Sequence, residues 1–320
     1  MKIHGLSPAT LTPFTESFDI DYGALTEHIQ RTSEATGLYG ITVNGHAGEV
    51  LTLSSDERQQ VIATARAALP ARLKLIAGIE CHATDGLVRE GLRAKEAGAD
   101  LLLVIPPFDI RTWRHLSHDA DSVYKVFERL DREVGLPMIV FSYPEASGSA
   151  YSMEALRRIV TLEHVVAIKC SAGTPAKYAE LHDALHDKTT LLVAVDTPSM
   201  LGMLMHHAPG ALVGIAVVGT QHWSDLVHHA TVGDANKAKQ IHNTFAVPLM
   251  RSIFEYHTHR TPTCPFGATK EALVQLGQFS SSVVRAPGVR VNDAKRAEIR
   301  ASLIEAGLLS ANSAPLLPSA

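Results

Sequence analysis

The chain predicts an α/β fold: a (β/α)8 TIM barrel with a C-terminal helical extension. Three observations predict it. Short apolar runs alternate with helix-like segments from the start of the chain to about residue 217, the order produced by a parallel sheet with crossover helices. The runs are apolar along their whole length, as strands buried on both faces are. No glycine fingerprint follows the first run, as it would in an open, doubly wound sheet.

The first strand is expected over residues 6–12 and the first helix over 22–34. Strand 40–43 leads to helix 56–68, capped by Ser54 or Ser55. Strand 73–79 leads to helix 84–97, stopped by Gly98. Strand 100–105 ends at Pro106-Pro107, and helix 117–133 stops at Gly135. Strand 138–143 ends at Pro144, and helix 152–160 takes Ser152 as its cap. Strand 165–169 leads to helix 175–186, where Pro175 sits early enough that its missing N–H costs little. Strand 190–195, helix 198–207 and strand 211–217 complete the set. Only helical periodicity follows, over 224–231, 235–257, 267–278 and 293–306. The expected division is a barrel over residues 1–220, a helical region over 221–309 packed on it, and a Ser/Ala/Pro-rich, disordered tail over 310–320.

Composition narrows the function. A net charge of -4 offers no basic field for nucleic acid. No stretch reaches the roughly 18 apolar residues of a membrane span. The N-terminus lacks a signal-peptide core, so a cytoplasmic location is expected. Cys81, Cys170 and Cys264 lie too far apart for a disulfide framework or a zinc spacing, which suits a reducing compartment. The 17 histidines invite a metal. His182 and His186 stand four apart on a helix, and His257 and His259 lie near Cys264. A barrel places its ligands at strand ends, so these groups read as solvated, as do His206-His207 and His228-His229. Glu80 and His82, at the third strand end, are the exception. Neither metal nor cofactor is expected.

In a parallel barrel the site is built from the C-terminal ends of the strands. The sixth strand, Val165-Val166-Ala167-Ile168, runs directly into Lys169. Burial there disfavours the ammonium, and a neutral amine attacks ketone carbonyls. The second strand ends in Asn44-Gly45-His46-Ala47-Gly48-Glu49, a tight turn whose N–H groups can converge on an anion. The fifth ends in Phe141-Ser142-Tyr143-Pro144, and the seventh in Asp196. Gly45, His46 and Ala47 would hold a carboxylate, Lys169 would attack the adjacent ketone, and Tyr143 would move a proton. Cys170 should face the helix layer as an inert, small apolar residue.

These motifs resemble the dihydrodipicolinate synthase / N-acetylneuraminate lyase family of class I aldolases. Gly45-His46-Ala47-Gly48-Glu49 matches its Gly-x-x-Gly-Glu loop, Ile168-Lys169 its lysine strand, and Pro144 to Gly148 the segment after strand five. Ala306-Gly307-Leu308-Leu309 fits the family's end, and the likeness covers residues 3–309. It implies a (β/α)8 barrel, a homo-oligomer (dimer or tetramer), and a Schiff base between Lys169 and a 2-keto acid. The departures carry expectations too. His46 and Ala47 replace hydroxyl residues, so His46 is a candidate proton relay. Phe141 stands where the family tyrosine does, with Tyr143 two residues on and on the same side of the strand. Phe108 replaces a second tyrosine, and Ala146 an arginine that grips a second carboxylate. The resemblance therefore implies a mouth lined by Phe108 and Phe141, with Ala194, Gly214, Ile215 and Ala216 contributing through backbone atoms. The expected function is a Schiff-base lyase or aldolase acting on pyruvate or another 2-keto acid, not a true dihydrodipicolinate synthase. The alternatives are a keto-deoxy sugar acid dehydratase or hydratase-aldolase, or a non-catalytic binding paralogue.

Overall fold

The computed structural model describes residues 2–106, 119–254 and 265–312. Its strands are β1 (Gly5–Pro8), β2 (Gly40–Val43), β3 (Lys74–Ile79), β4 (Leu101–Val104), β5 (Met138–Ser142), β6 (Val165–Cys170), β7 (Thr190–Val193) and β8 (Gly210–Val213). They hydrogen-bond in the order β1-β8-β7-β6-β5-β4-β3-β2. Each of these pairings is parallel, and the bridges Leu6–Leu38 and Ala9–Thr42 bring β1 back to β2. This is the TIM barrel that the alternation predicts. One glycine keeps its register beside the mouth. A Cβ on Gly78 would lie 1.9 Å from the Asn44 carbonyl oxygen, so only a bare backbone lets β3 approach the end of β2 this closely.

The crossover helices are α1 (Tyr22–Ser33), α2 (Ser55–Ala68), α3 (Thr84–Glu96), α4 (Ala120–Glu133), α5 (Met153–Ile159), α6 (Pro175–Leu185) and α7 (Met200–Met205). Ser54, not Ser55, caps α2, in a reciprocal capping box with Glu57. Ser152 caps α5, and Thr174 caps α6 just before Pro175.

Several expected elements differ in their bounds, among them the first and eighth strands and the long helix after the barrel. The first strand stops at Pro8 instead of residue 12, although Thr10 N–H still reaches Thr42 O at 2.8 Å. The eighth strand ends at Val213, because Asp196 takes the N–H of Ile215 and turns the chain into the short 3-10 helix Ile215–Val217. The long helix expected over 235–257 is divided into α9 (Ala235–Ile241), a π-helical turn (His242–Ala246) and α10 (Val247–Ile253). Pro248 explains the break: it has no N–H to give, and its ring clashes with the carbonyl four residues back. Residues 255–257 of that expectation lie outside the described residues, as do residues 313–320 of the expected tail.

The helical region begins before α9 with α8 (Thr220–Thr231), and continues after α10 with α11 (Pro265–Gln275) and α12 (Asp293–Glu305). A fully buried ion pair helps tie it to the barrel. Lys270, fully buried, places Nζ 2.5 Å from Glu49 Oε1 and 2.8 Å from the Val283 carbonyl oxygen, over the ring of Phe14. Glu49 Oε2 accepts the backbone N–H of Arg285 at 3.0 Å. The Arg285 guanidinium spans the Thr52 and Phe18 carbonyls and both carboxylate oxygens of Glu57. No described helix is long and apolar enough to cross a membrane.

Removing one partner of a buried pair strands the other charge. Lys270→Met is expected to cost about 3–5 kcal/mol, measured by urea unfolding. Adding Glu49→Gln should restore part of that loss. Simple additivity of the two changes would show that the pair is not coupled.

Candidate active site

The loop after β2 is shaped by two left-handed residues, Asn44 and Glu49, each at φ 53°. Between them the N–H groups of Gly48, Glu49 and Val50 go to the carbonyls of Gly45 and His46. Thr12 Oγ1 donates to Gly48 O at 2.8 Å and holds the turn from below. Ala47 is buried, and among the described residues its N–H has no hydrogen-bond partner. A donor left open in such a turn suits an anionic ligand. Gly214 packs against this point: a Cβ there would lie 3.3 Å from Ala47 Cβ.

Lys169, the penultimate residue of β6, has 7% of its surface exposed. It stands opposite Phe141 in the β5–β6 register, and its Nζ lies 3.8 Å from the centre of the Phe141 ring. Among the described residues it has no hydrogen bond and no ion pair within contact distance. Burial pulls its pKa down to about 8, against the opposing pull of the Asp196 carboxylate. A substantial neutral fraction therefore exists near physiological pH.

Phe141 and Tyr143 face the same way, as the period of a strand requires, with ring centroids 4.5 Å apart. The His46 ring lies 5.3 Å from Phe141 and stacks 5.5 Å from Tyr143 at 15°. Tyr143 Oη and His46 Nε2 are 2.5 Å apart. Burial, helped by the charge of Lys169, lowers the His46 pKa to about 3, so the imidazole is neutral. In its Nδ1–H tautomer it accepts the phenol proton at Nε2. Burial raises the Tyr143 pKa, with Tyr151 and Glu80 adding to the effect. Tyr143 is thus a proton donor coupled to an imidazole that itself feels the lysine.

Asp196 completes the group. Its carboxylate accepts the N–H of Ile215 at 3.0 Å and that of Gly214. Burial raises its pKa, and those bonds and Lys169 oppose the rise. Ile215 and Ala216 are fully buried, so their expected place as pocket lining reduces to supporting the turn around Asp196. Ala194, also buried, donates its N–H to Cys170 O at 3.0 Å. Glu80 is buried, with its pKa raised by burial against the pull of His82 and Arg58. His82 is largely exposed, with Nδ1 3.6 Å from Glu80. Cys170 is buried, its thiol pushed up to about 12, beside a cavity of about 600 Å³ that Tyr143 and Tyr151 also line. Phe108 lies outside the described residues.

Two features escaped the sequence reading. Asp196 was visible only as a strand end. The partners of Glu49 had a faint signal, a lone lysine inside the apolar periodicity of residues 267–278.

A model of the Dihydrodipicolinate synthetase family matches residues 2–306. The chain is 26% identical over 305 residues to a 4-hydroxy-tetrahydrodipicolinate synthase from Methanosarcina mazei, covering 95% of this chain and 99% of the relative. It is 27% identical over 293 residues to a protein of the same name from Haloarcula marismortui, covering 92% and 90%. The solved dihydrodipicolinate synthase of Aquifex aeolicus superposes with a TM-score of 0.84 at 26% identity, covering 96% of this chain and 99% of that one. N-acetylneuraminate lyase from Fusobacterium nucleatum shares the fold, with a TM-score of 0.81 at 19% identity over 94% and 98% of the two chains.

The carboxylate of Asp196 favours the ammonium form of Lys169. The amine should titrate with a midpoint near 8, and Asp196→Asn should move that midpoint down. NMR of the reductively ¹³C-methylated protein reads both, with Lys169→Arg identifying the signal. An unmoved midpoint would show that Asp196 acts only on the β8 turn.

Proposed function

Because the chain belongs to the dihydrodipicolinate synthetase family, and so to the class I aldolases and lyases, we propose that Lys169 forms a Schiff base with pyruvate or another 2-keto acid. The observation that carries this reading is the amine itself: buried, without a paired carboxylate, and held against an aromatic face at the mouth. The Ala47 N–H, with Gly45 and His46 shaping its turn, binds the substrate carboxylate. The neutral Nζ then attacks the ketone carbon, and the proton that the nitrogen sheds passes to the former carbonyl oxygen. Tyr143, positioned by its contact with the neutral His46 imidazole, gives its proton to that hydroxyl, which leaves as water. The product is a protonated imine. That cation draws electrons from the neighbouring carbon, which loses a proton to the Tyr143 phenolate and becomes a nucleophilic enamine, restoring the phenol. Addition of the enamine to an aldehyde forms a carbon–carbon bond, and the reverse path cleaves one.

The expectation that the chain is not a true dihydrodipicolinate synthase finds no support in the names of its relatives, and that exclusion is withdrawn. Phe141 and Ala146 remain the residues to examine when aldehyde partners are compared. Dehydration of a keto-deoxy sugar acid uses the same imine and stays within this reading. A binding paralogue is the second reading, favoured by the phenyl ring of Phe141 where the family has a phenol; the short contact between Tyr143 and His46 favours turnover instead. Assembly into a homo-oligomer belongs to the proposal as well, and the exposed Leu51, Met205 and Val232 offer apolar surface for it.

Borohydride reduction in the presence of pyruvate should attach reduced pyruvate to the peptide containing Lys169. Lys169→Ala should carry no adduct, and absence of an adduct with any 2-keto acid would reject the proposal. Tyr143→Phe should slow imine formation by about 10²–10³-fold while leaving ligand binding in place. An unchanged rate would remove Tyr143 from the proton path.

A further inference from the structure

At the end of the barrel remote from Lys169, several imidazoles crowd together. α6 and α7 each follow a parallel strand, so both run from the mouth back toward the strands' N-terminal ends. They pack closely on the way: a Cβ on Gly202 would lie 3.3 Å from Pro175 Cγ. The last turn of α6 delivers His182, Asp183 and His186, and the end of α7 delivers His206 and His207. His182 stacks on His186 with centroids 4.7 Å apart at 9°, and meets His206 edge-on at 5.3 Å. The sequence suggested a pairing of His182 with His186. The fold adds His206 from across the helix interface.

Three of these residues converge on one point. Asp183 Oδ1 lies 3.4 Å from His182 Nδ1 and 3.8 Å from His206 Nε2. One ligand atom from each of the three falls within 4.8 Å of the others. His206 Nε2 is shut away from solvent yet has no hydrogen-bond partner among the described residues. A buried ring nitrogen without a partner normally carries a penalty, so its occurrence calls for an explanation. His186 does not supply one, because its Nδ1 is spent on the His182 carbonyl oxygen at 2.9 Å.

We propose that His182, Asp183 and His206 form a binding site for a divalent transition-metal ion of the zinc class, clasping α6 to α7. Two imidazoles and one carboxylate suit zinc, nickel or copper better than calcium or magnesium, which prefer all-oxygen shells. Donor atoms about 2.0–2.1 Å from a tetrahedral zinc lie roughly 3.4 Å from each other. Two of the separations here are already near that value. Asp183 is largely exposed and His206 partly so, which leaves their side chains room to close the third. Water completes the shell. The ion gives His206 Nε2 the partner that the protein does not, and it joins helices that follow adjacent strands. Its position at the floor makes it a structural clasp, remote from the chemistry of the mouth.

The test uses the untagged, full-length chain stripped of metal and titrated with Zn²⁺ by calorimetry. One tight equivalent per chain is expected. His182→Gln, Asp183→Asn and His206→Gln should each weaken it by more than the roughly 10–100-fold typical of losing an outer-shell partner. His228→Gln, in another histidine pair, should leave it unchanged. A second measurement reads geometry: the Co²⁺-loaded protein should show visible ligand-field absorption that His206→Gln abolishes while circular dichroism stays native. Absence of a tight equivalent in the parent chain, or one that survives both histidine changes, would overturn the proposal.

Discussion

Two lysines are buried at the mouth of this barrel, and the difference between them organises everything around it. Lys270 is matched: a carboxylate at 2.5 Å, a carbonyl oxygen at 2.8 Å and an aromatic face below. Lys169 is left with the face of Phe141 and a carboxylate that acts from farther off. Burial costs both amines their hydration. The matched one recovers that cost in local interactions and serves as structure. The unmatched one has its pKa pulled down to about 8, so part of it is neutral, and the neutral amine is the form that the proposed reaction uses. Glu49 joins the two roles, because it ends the anion-binding turn and also grips Lys270. The helical region thereby holds the loop that faces Lys169.

In the proposed reaction, His46 and Tyr143 substitute for a hydroxyl pair. The turn around Ala47 keeps a backbone donor but carries no hydroxyl, and Phe141 brings no phenol to the amine. Moving the phenol two residues along β5 keeps it on the same face but nearer the rim. An imidazole, longer than a hydroxyl-bearing side chain, spans the distance this creates. Its neutrality is what makes the arrangement function. A protonated His46 beside Lys169 would repel the ammonium and could not accept from Tyr143. Burial removes that state by lowering the imidazole pKa to about 3.

The barrel was legible because unbroken apolar strands and capped helices repeat with regular spacing, and nothing competes with that pattern until Pro248. Lys169, His46 and Tyr143 could be singled out as candidates because chemistry in this fold collects at strand ends, and the fold brings His46 and Tyr143 together beside Phe141 and the lysine. What stayed hidden depends on meetings between distant segments. Glu49 and Lys270 are 221 residues apart, and neither residue announces the other. The His182–His206 contact needs two helices side by side, whereas the i, i+4 spacing visible in sequence points to His186 instead. Asp196 looked like an ordinary strand-terminating residue, and only the turn it captures in β8 shows its hold on the mouth.

Asp196 shows how one carboxylate can serve structure and reactivity together. By accepting the N–H groups of Gly214 and Ile215 it ends β8 and presses Gly214 toward Ala47, which shapes the anion turn. Those same bonds support its negative charge against the cost of burial. The charge then pulls the Lys169 amine back toward protonation, so that burial alone would have lowered the pKa further. The amine therefore stands near the point where its two forms exchange readily, as the proposed reaction requires: neutral often enough to attack, and basic enough for an imine to hold its proton. A barrel that buried the lysine without Asp196 would have a more nucleophilic fraction and a weaker electron sink. The balance between burial and one fixed carboxylate gives the site both properties at once.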